Sequence, residues 1–242
     1  MARGGGWGRS LALLALLLIA GAAIYELVTW PDVGVLAKRD PESTAFLERW
    51  RARERAAGRP GAATLRPVPW SRIADELKLA VVVAEDIDFF SHRGFATAEM
   101  RTALEKAMAE RKAPRGASTL TQQLAKNLFL SPARNPWRKA KEALLTRQLE
   151  RRLSKRRILE LYLNVVELGP GVWGVEPAAR RYFGKSAAAV SGHQAAQLAA
   201  ALPRPSQWHP GVASRGYLRA VARVEARMAQ AGWVLREIRA AR

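Results

Sequence analysis

The sequence predicts a mainly α-helical domain preceded by one apolar helix, and three observations carry that expectation. Helix start signals recur along the chain: Thr119 with Gln122, Asn135 with Pro136, Ser154, and Ser191 with Gln194. Apolar residues at helical spacing follow each of them, and no alternating β pattern of convincing length occurs. At the amino end, the uncharged run from Leu11 to Tyr25 stands apart from everything after it. The 242 residues, 49% of them hydrophobic and 25% charged, suffice to bury one domain of ordinary size.

Forty Lys and Arg against 21 Asp and Glu give a formal net charge of +19, which calls for an anionic partner: nucleic acid, an acidic lipid surface or a phosphate-bearing substrate. Cys is absent, so disulfides, Cys-based zinc sites and a Cys nucleophile are excluded. His92, His193 and His209 lie far apart with no paired ligand spacing, so a structural metal site is not expected.

Taken in order, Arg3 and Arg9 precede the apolar run, and Trp7 and Trp30 would stand roughly 35 Å apart along a helix. That matches bilayer dimensions with aromatic belts. The expected organisation is a cytoplasmic tail over residues 1–10, a transmembrane anchor over 11–30, a linker and packing arm over 31–64, and the functional domain over 65–242. A signal peptide cleaved near Ala20-Gly21-Ala22 is the alternative, and either reading exports the rest of the chain.

Ser71 is expected to cap a helix with Ile73, Leu77, Ala80, Val81 and Ala84 on its apolar face and Glu85 at its end. Glu85, Asp86, Asp88 and His92 then crowd the edge of an apolar helix. Burial and the negative end of the helix dipole both disfavour a carboxylate anion there, which suits a proton-transfer group near neutral pH. A solvated helix end is the plain alternative. A second helix is expected from about Thr97 to Arg111, followed by a mobile loop to Gly116.

Next comes a capped helix with Leu120, Leu124 and Leu128 buried, and with Gln123, Lys126 and Asn127 gathered on a different face. Its N–H donors and lysine suit phosphate oxygens, although an ordinary polar outer face would look the same. From Arg134 to Arg157 ten Lys or Arg face only Glu142 and Glu150. Glu142 lies in line with Leu145, Leu149 and Leu153, so it leans inward beside Arg138 and Lys139, either as a fold-holding ion pair or as a second site carboxylate. Ser154 restarts a helix through Leu163, a Gly-rich loop runs from Val165 to Gly174, and Pro177 opens a helix ending near Gly184. Ser191 caps a helix that Pro203 terminates. The last expected helix runs from Ser214 to Ala231, with Leu218, Val221, Val224 and Met228 inward.

Together these blocks resemble the peptidoglycan glycosyltransferase family, in particular its monofunctional biosynthetic members. Glu85-Asp86 with Phe89, His92 and Gly94 match the family's first motif, and Gly116 through Gln122-Gln123 the second. Arg138 through Glu142 match the third, and Lys155 through Asn164 with Gly169 the fourth. The stretch from Leu202 to Pro210 resembles the fifth more weakly. Ala117 stands where the second motif often has Gly, and Gln194 where relatives often have Glu.

The resemblance implies a lysozyme-like helical transglycosylase domain behind an N-terminal transmembrane helix. It also implies polymerisation of glycan chains from lipid II, a disaccharide-peptide on undecaprenyl diphosphate. Glu85 would take the proton from the acceptor 4-hydroxyl, and Glu142 would be the second catalytic carboxylate. Lys126 and Arg134 would contact the donor diphosphate, with Ser118, Gln123 and Asn127 lining that side, and His92 would be structural. A diphosphate leaves without an acid if Lys, Arg or a divalent cation holds its charge, so no cofactor is required and Mg or Mn is an optional aid.

The implied partners are lipid II, the growing glycan chain, anionic membrane lipids and other cell-wall synthesis or division proteins, with no nucleic acid. The implied location is the bacterial inner membrane, single-pass, with a cytoplasmic N-terminus and a periplasmic catalytic domain. A lysozyme-like hydrolase and a non-enzymatic basic membrane or nucleic-acid binding protein are the rival readings.

Overall fold

The computed structural model describes residues 5–96, 118–133 and 135–241. The expected helix from Thr97 to Arg111, the loop after it and Arg134 lie outside the described residues. The chain divides into two compact units, Met1–Asp32 and Val33–Arg242. In the first, helix α1 runs over Gly5–Val28, and from Ser10 onward an 18-residue window has a mean hydropathy of 2.4, with none of it buried. This helix is long and apolar enough to cross a membrane.

Among the described residues, the regular structure of the second unit is helical apart from one tiny hairpin. Its helices are α2 (Ala45–Ala56), α3 (Asp75–Glu85), α4 (Leu120–Phe129), α5 (Pro136–Arg152), α6 (Lys155–Val165), α7 (Val175–Phe183), α8 (Gly192–Ala201), α9 (Arg215–Gln230) and α10 (Gly232–Ala240). Short 3-10 turns cover Val33–Ala37, Trp70–Arg72 and Ala187–Ala189. The expected caps form where the side chains allow it. Thr119–Gln122 and Ser191–Gln194 close reciprocal capping boxes, and Asn135 and Ser154 accept from Arg138 N and Arg157 N.

Helix α6 explains how the domain holds together. Every residue from Ile158 to Val165 is buried, so this helix is enclosed on all sides rather than amphipathic. Two polar members of that stretch, Asn164 and Glu160, bond to incoming backbone. Asn164 accepts from Val68 N (2.9 Å) and donates to Val68 O (2.9 Å), and Glu160 accepts from Trp70 N (2.6 Å). The incoming segment 68–70 is thereby fixed against the core. Around α6 lie two helical groups. Helix α3 packs against α8, α9 and α10, while α4 packs against α2, α5 and α6. The C-terminal end of α3 and the N-terminal end of α4 meet where these groups join.

Several expectations need correction. Ser71 lies in the Trp70–Arg72 turn and caps nothing, because α3 begins after Ala74, whose N–H bonds to Ala187 O (3.0 Å). The Gly-rich loop contains a two-stranded antiparallel hairpin, β1 (Glu167–Gly169) with β2 (Val172–Trp173). Gly171 at φ +69° makes its turn, and a side chain there would collide with Trp50. Gly174 at φ +83° is the N-cap of α7, so that helix starts at Val175 and Pro177 falls within its first turn. The helix expected from Ser214 to Ala231 forms as α9, capped by Ser214, but a further helix, α10, follows it and some of its inward positions differ. In α9 the buried positions are Tyr217, Ala220, Val221 and Val224, whereas Leu218 is 51% exposed.

Candidate active site

Glu85 is the last residue of α3, where the helix dipole is negative. Its Oε2 accepts from Gln123 Nε2 on α4 at 2.8 Å. Gln123 is aimed in turn by Tyr162 on α6, whose hydroxyl donates to Gln123 Oε1 at 2.9 Å. With the amide oxygen occupied by Tyr162, only the NH2 group faces the carboxylate. Burial holds the Tyr162 hydroxyl well above its ordinary pKa, and Glu85 and Asp86 add to that, so it stays a donor.

Burial also pushes the Glu85 carboxyl up, and adjacent Asp86 adds to the rise. The Gln123 hydrogen bond, Lys126 and Arg227 pull it the other way without cancelling the burial. Arg227, reaching over from α9, also donates to Val83 O (3.2 Å) and so caps the α3 carbonyls beside Glu85.

Asp86 has a different role. It is buried, accepts from Leu120 N at 2.8 Å, and thus binds the first turn of α4. Its carboxylate also receives His92 Nε2 (2.9 and 3.1 Å), while Gly94 N donates to His92 Nδ1 (3.1 Å). That pattern fixes the Nε2–H tautomer. Thr119 Oγ1 donates to Gly94 O (2.7 Å), and Phe89 packs edge-on to His92. The first motif is therefore a clamp joining the end of α3 to the start of α4, and it sets Glu85 opposite Gln123. Among the described residues the Asp88 side chain makes no hydrogen bond or ion pair to that clamp; its carbonyl accepts from Ser91.

The second carboxylate, Glu142, is 3% exposed on α5. Arg138 Nη1 donates to its Oε2 at 2.7 Å, and Lys139 Nζ to its Oε1. Arg138 Nε is buried with no hydrogen-bond partner. Lys126 stands between the two acids electrostatically. Burial lowers its pKa, Glu142 and Glu85 raise it, and Arg138 and Lys139 lower it. Among the described residues no carboxylate lies within ion-pair distance of its Nζ, which instead sits 5.9 Å from the centre of the Phe46 ring. Desolvated cations at Lys126 and Arg138 with unused donors can hold a bound anion.

The sequence-predicted residues divide accordingly. Glu85 and Gln123 are in direct contact, and Lys126 and Glu142 are coupled through charge. Ser118 is exposed at the start of this region, and its carbonyl receives a long 3.5 Å contact from Gln123. Asn127, expected on the polar face, is 7% exposed. Sequence reasoning missed Tyr162, which reads as core within an apolar run, and Arg227, which carries no motif. The sequence marks Arg138 and Lys139 as part of the third motif and as partners of Glu142, but not as anion-binding groups. Among the described residues no group of three His, Cys, Asp or Glu could hold a metal ion.

A carboxyl raised in pKa and aimed by an amide, coupled through charge to half-buried cations, makes a site suited to proton transfer beside a bound anion. The chain belongs to the transglycosylase family, whose model matches residues 54–230. It is 45% identical over 210 residues to the biosynthetic peptidoglycan transglycosylase of Thiobacillus denitrificans, covering 87% of this chain and 88% of that one. The proteins of the same description from Laribacter hongkongensis (42% over 217 residues; 90% and 93% covered) and Aromatoleum aromaticum (46% over 199 residues; 82% and 84%) are similarly close.

Proposed function

We propose that this protein polymerises peptidoglycan glycan chains from lipid II, and that Glu85 is its general base. The observation that carries the proposal is the Glu85 carboxylate itself. Its pKa is raised by burial, it is aimed by Gln123, and a desolvated cationic patch lies alongside. In the reaction, Glu85 accepts the proton of the acceptor 4-hydroxyl as that oxygen attacks the anomeric carbon of the lipid-linked donor chain. The bond from that carbon to the diphosphate oxygen breaks with inversion. A β-1,4 linkage forms and undecaprenyl diphosphate leaves.

No acid is needed at the leaving group, because a diphosphate departs as an anion once its charge is held. Lys126 and Arg138 provide that charge in this reading, joined by Arg134 from the neighbouring sequence, while Glu142 keeps Arg138 and Lys139 in place. Ser118 and Asn127 line the same donor side. A divalent cation, where one assists, would be carried by the diphosphate oxygens, since both Glu142 oxygens are already engaged by cations.

In this reading α1 is a single-pass anchor in the inner membrane with its amino end cytoplasmic, and the catalytic domain is periplasmic, with lipid-borne substrate reaching it from the bilayer. The excess of basic residues suits anionic headgroups, and cell-wall synthesis or division proteins are the expected protein partners.

The test supplies purified full-length protein with lipid II and, separately, with intact cell-wall sacculi. Polymer from lipid II with no release of muropeptides is expected. Muropeptide release without polymer would replace the transferase with a hydrolase.

A further inference from the structure

A basic cavity whose lining does not include Glu85 borders the first-motif clamp on its His92 side. It measures about 910 Å³ and is bordered by Phe90, Arg93 and Phe95 from the loop after α3, and by Arg147, Arg151 and Lys155 from the α5–α6 junction. Glu150, the acid in its wall, is already engaged: Lys155 Nζ donates to its Oε1 at 2.8 Å and Thr121 Oγ1 at 2.5 Å. Among the described residues no carboxylate pairs with Arg93, Arg147 or Arg151, all of which are exposed. Arg147 and Arg151 are neighbours one turn apart on α5. The cavity thus offers three planar guanidinium groups, none paired with a carboxylate among the described residues, next to two half-buried phenyl rings.

The surroundings select the kind of anion. Along the outer face of α5, Trp137 (60% exposed) and Leu144 (52%) are seven residues apart and in line with Arg151. Large apolar side chains left in the open beside arginines are the composition of a bilayer-interface surface. The entry of the chain into the domain points the same way. The Val33–Ala37 turn, three residues past Trp30, packs against α5, with Val35 51% exposed. Arg157 in the first turn of α6 donates to Leu36 O (2.7 Å) and Arg39 O (2.9 Å). The segment that follows the apolar stretch is therefore tied to the same α5–α6 junction that lines the cavity.

We infer that this cavity binds the phosphodiester headgroup of an anionic phospholipid, with Arg93, Arg147 and Arg151 on the phosphate and Phe90 and Phe95 against the start of the acyl chains. Guanidinium forks match phosphate oxygens, and the rings supply the apolar contact that a free phosphate ion would not use. The inference rests on the membrane-anchored reading above and adds to it a lipid site separate from the donor diphosphate site. A lipid held here seats the His92 side of the α3–α4 clamp at headgroup depth.

The test titrates phosphatidylglycerol into the full-length protein in neutral detergent and counts bound lipid by native mass spectrometry, comparing wild type with the Arg93→Gln/Arg147→Gln/Arg151→Gln variant. The variant is expected to bind on the order of 100-fold more weakly, from three basic side chains near an anionic headgroup. The corresponding triple Lys variant, which keeps the charge and controls for folding, should retain most of the binding. Lipid II polymerisation in neutral detergent should be unchanged in the Gln variant. Equal phosphatidylglycerol binding by wild type and Gln variant overturns the inference, and so does a raised KM for lipid II in neutral detergent, which would assign the cavity to substrate. Loss of phosphatidylglycerol binding in a protein whose wild type polymerises nothing would leave this site standing and remove the proposed function instead.

Discussion

Tyr162→Phe removes one oxygen from a fully buried side chain and leaves the ring, so its consequences can be worked through the hydrogen bonds it breaks. The Tyr162 hydroxyl occupies Gln123 Oε1, and that contact prevents the amide from turning its oxygen toward Glu85. Without it, Gln123 Oε1 is left half-buried without its donor, at a cost of about 1 kcal/mol to stability. The amide is then free to rotate, which forfeits much of the hydrogen bond to the Glu85 anion. A hydrogen bond to a charged group contributes about 1.5–3 kcal/mol, so losing half to all of it makes the carboxyl harder to ionise by roughly 4- to 150-fold.

Because Gln123 pulls the Glu85 carboxyl down against the effect of burial, its loss moves the acid limb of the pH–rate profile to higher pH. The expected result is a kcat deficit that is largest on the acid side of the profile and shrinks as pH rises, measured with lipid II across a pH series. A merely structural tyrosine would lower activity equally at every pH. An unchanged limb position would refute the aiming role of Tyr162.

Other perturbations follow from the same geometry. Glu85→Gln removes a carboxyl whose folded pKa is raised, and such a group favours the native state below its ordinary value of 4.5 and opposes it as pH rises through the raised value. The variant should therefore be more stable than wild type at neutral pH, with the gap closing toward pH 4 in urea titrations; an equal gap at both pH values would contradict the burial. Glu142→Gln strands Arg138 and Lys139 and should cost on the order of 3 kcal/mol in chemical denaturation, because a buried charge pair is broken from one side. Gly94→Ala places a methyl 2.8 Å from Thr146 Cγ2 at φ +90°, for a loss of roughly 2–4 kcal/mol that thermal unfolding would report. Lys126→Ala should keep its melting temperature while polymerisation falls by about two orders of magnitude, and normal glycan synthesis would remove it from the diphosphate site.

How far the sequence could be read depended on the range of the interaction. Caps are local, and so Thr119, Asn135, Ser154 and Ser191 announced their helices correctly. Ser71 failed because α3 begins on a contact with Ala187, more than a hundred residues away. In α9 an apolar series through Leu218 and one through Tyr217 are equally helical, and only packing against α8 and α3 chooses between them. Helix α10 has no side-chain cap to announce it.

The site shows the same division. Local desolvation pointed to a raised carboxyl at the end of α3 but left Glu85, Asp86 and Asp88 equivalent. The structure separates them, with Glu85 facing Gln123, Asp86 turned to Leu120 N and His92, and the Asp88 side chain making no hydrogen bond to the clamp among the described residues. The inward lean of Glu142 was legible from its register with Leu145 and Leu149. Tyr162 and Arg227 were not, since they reach Glu85 across 39 residues to Gln123 in one case and 144 residues to Val83 in the other.

The role proposed for Glu85, as the base of a glycan polymerase, is decided by lipid II polymerisation with wild type and Glu85→Gln compared at matched folding. Polymer from the wild type is expected, with turnover lower by about 10²- to 10⁴-fold in the variant. A variant that polymerises at the wild-type rate would contradict it.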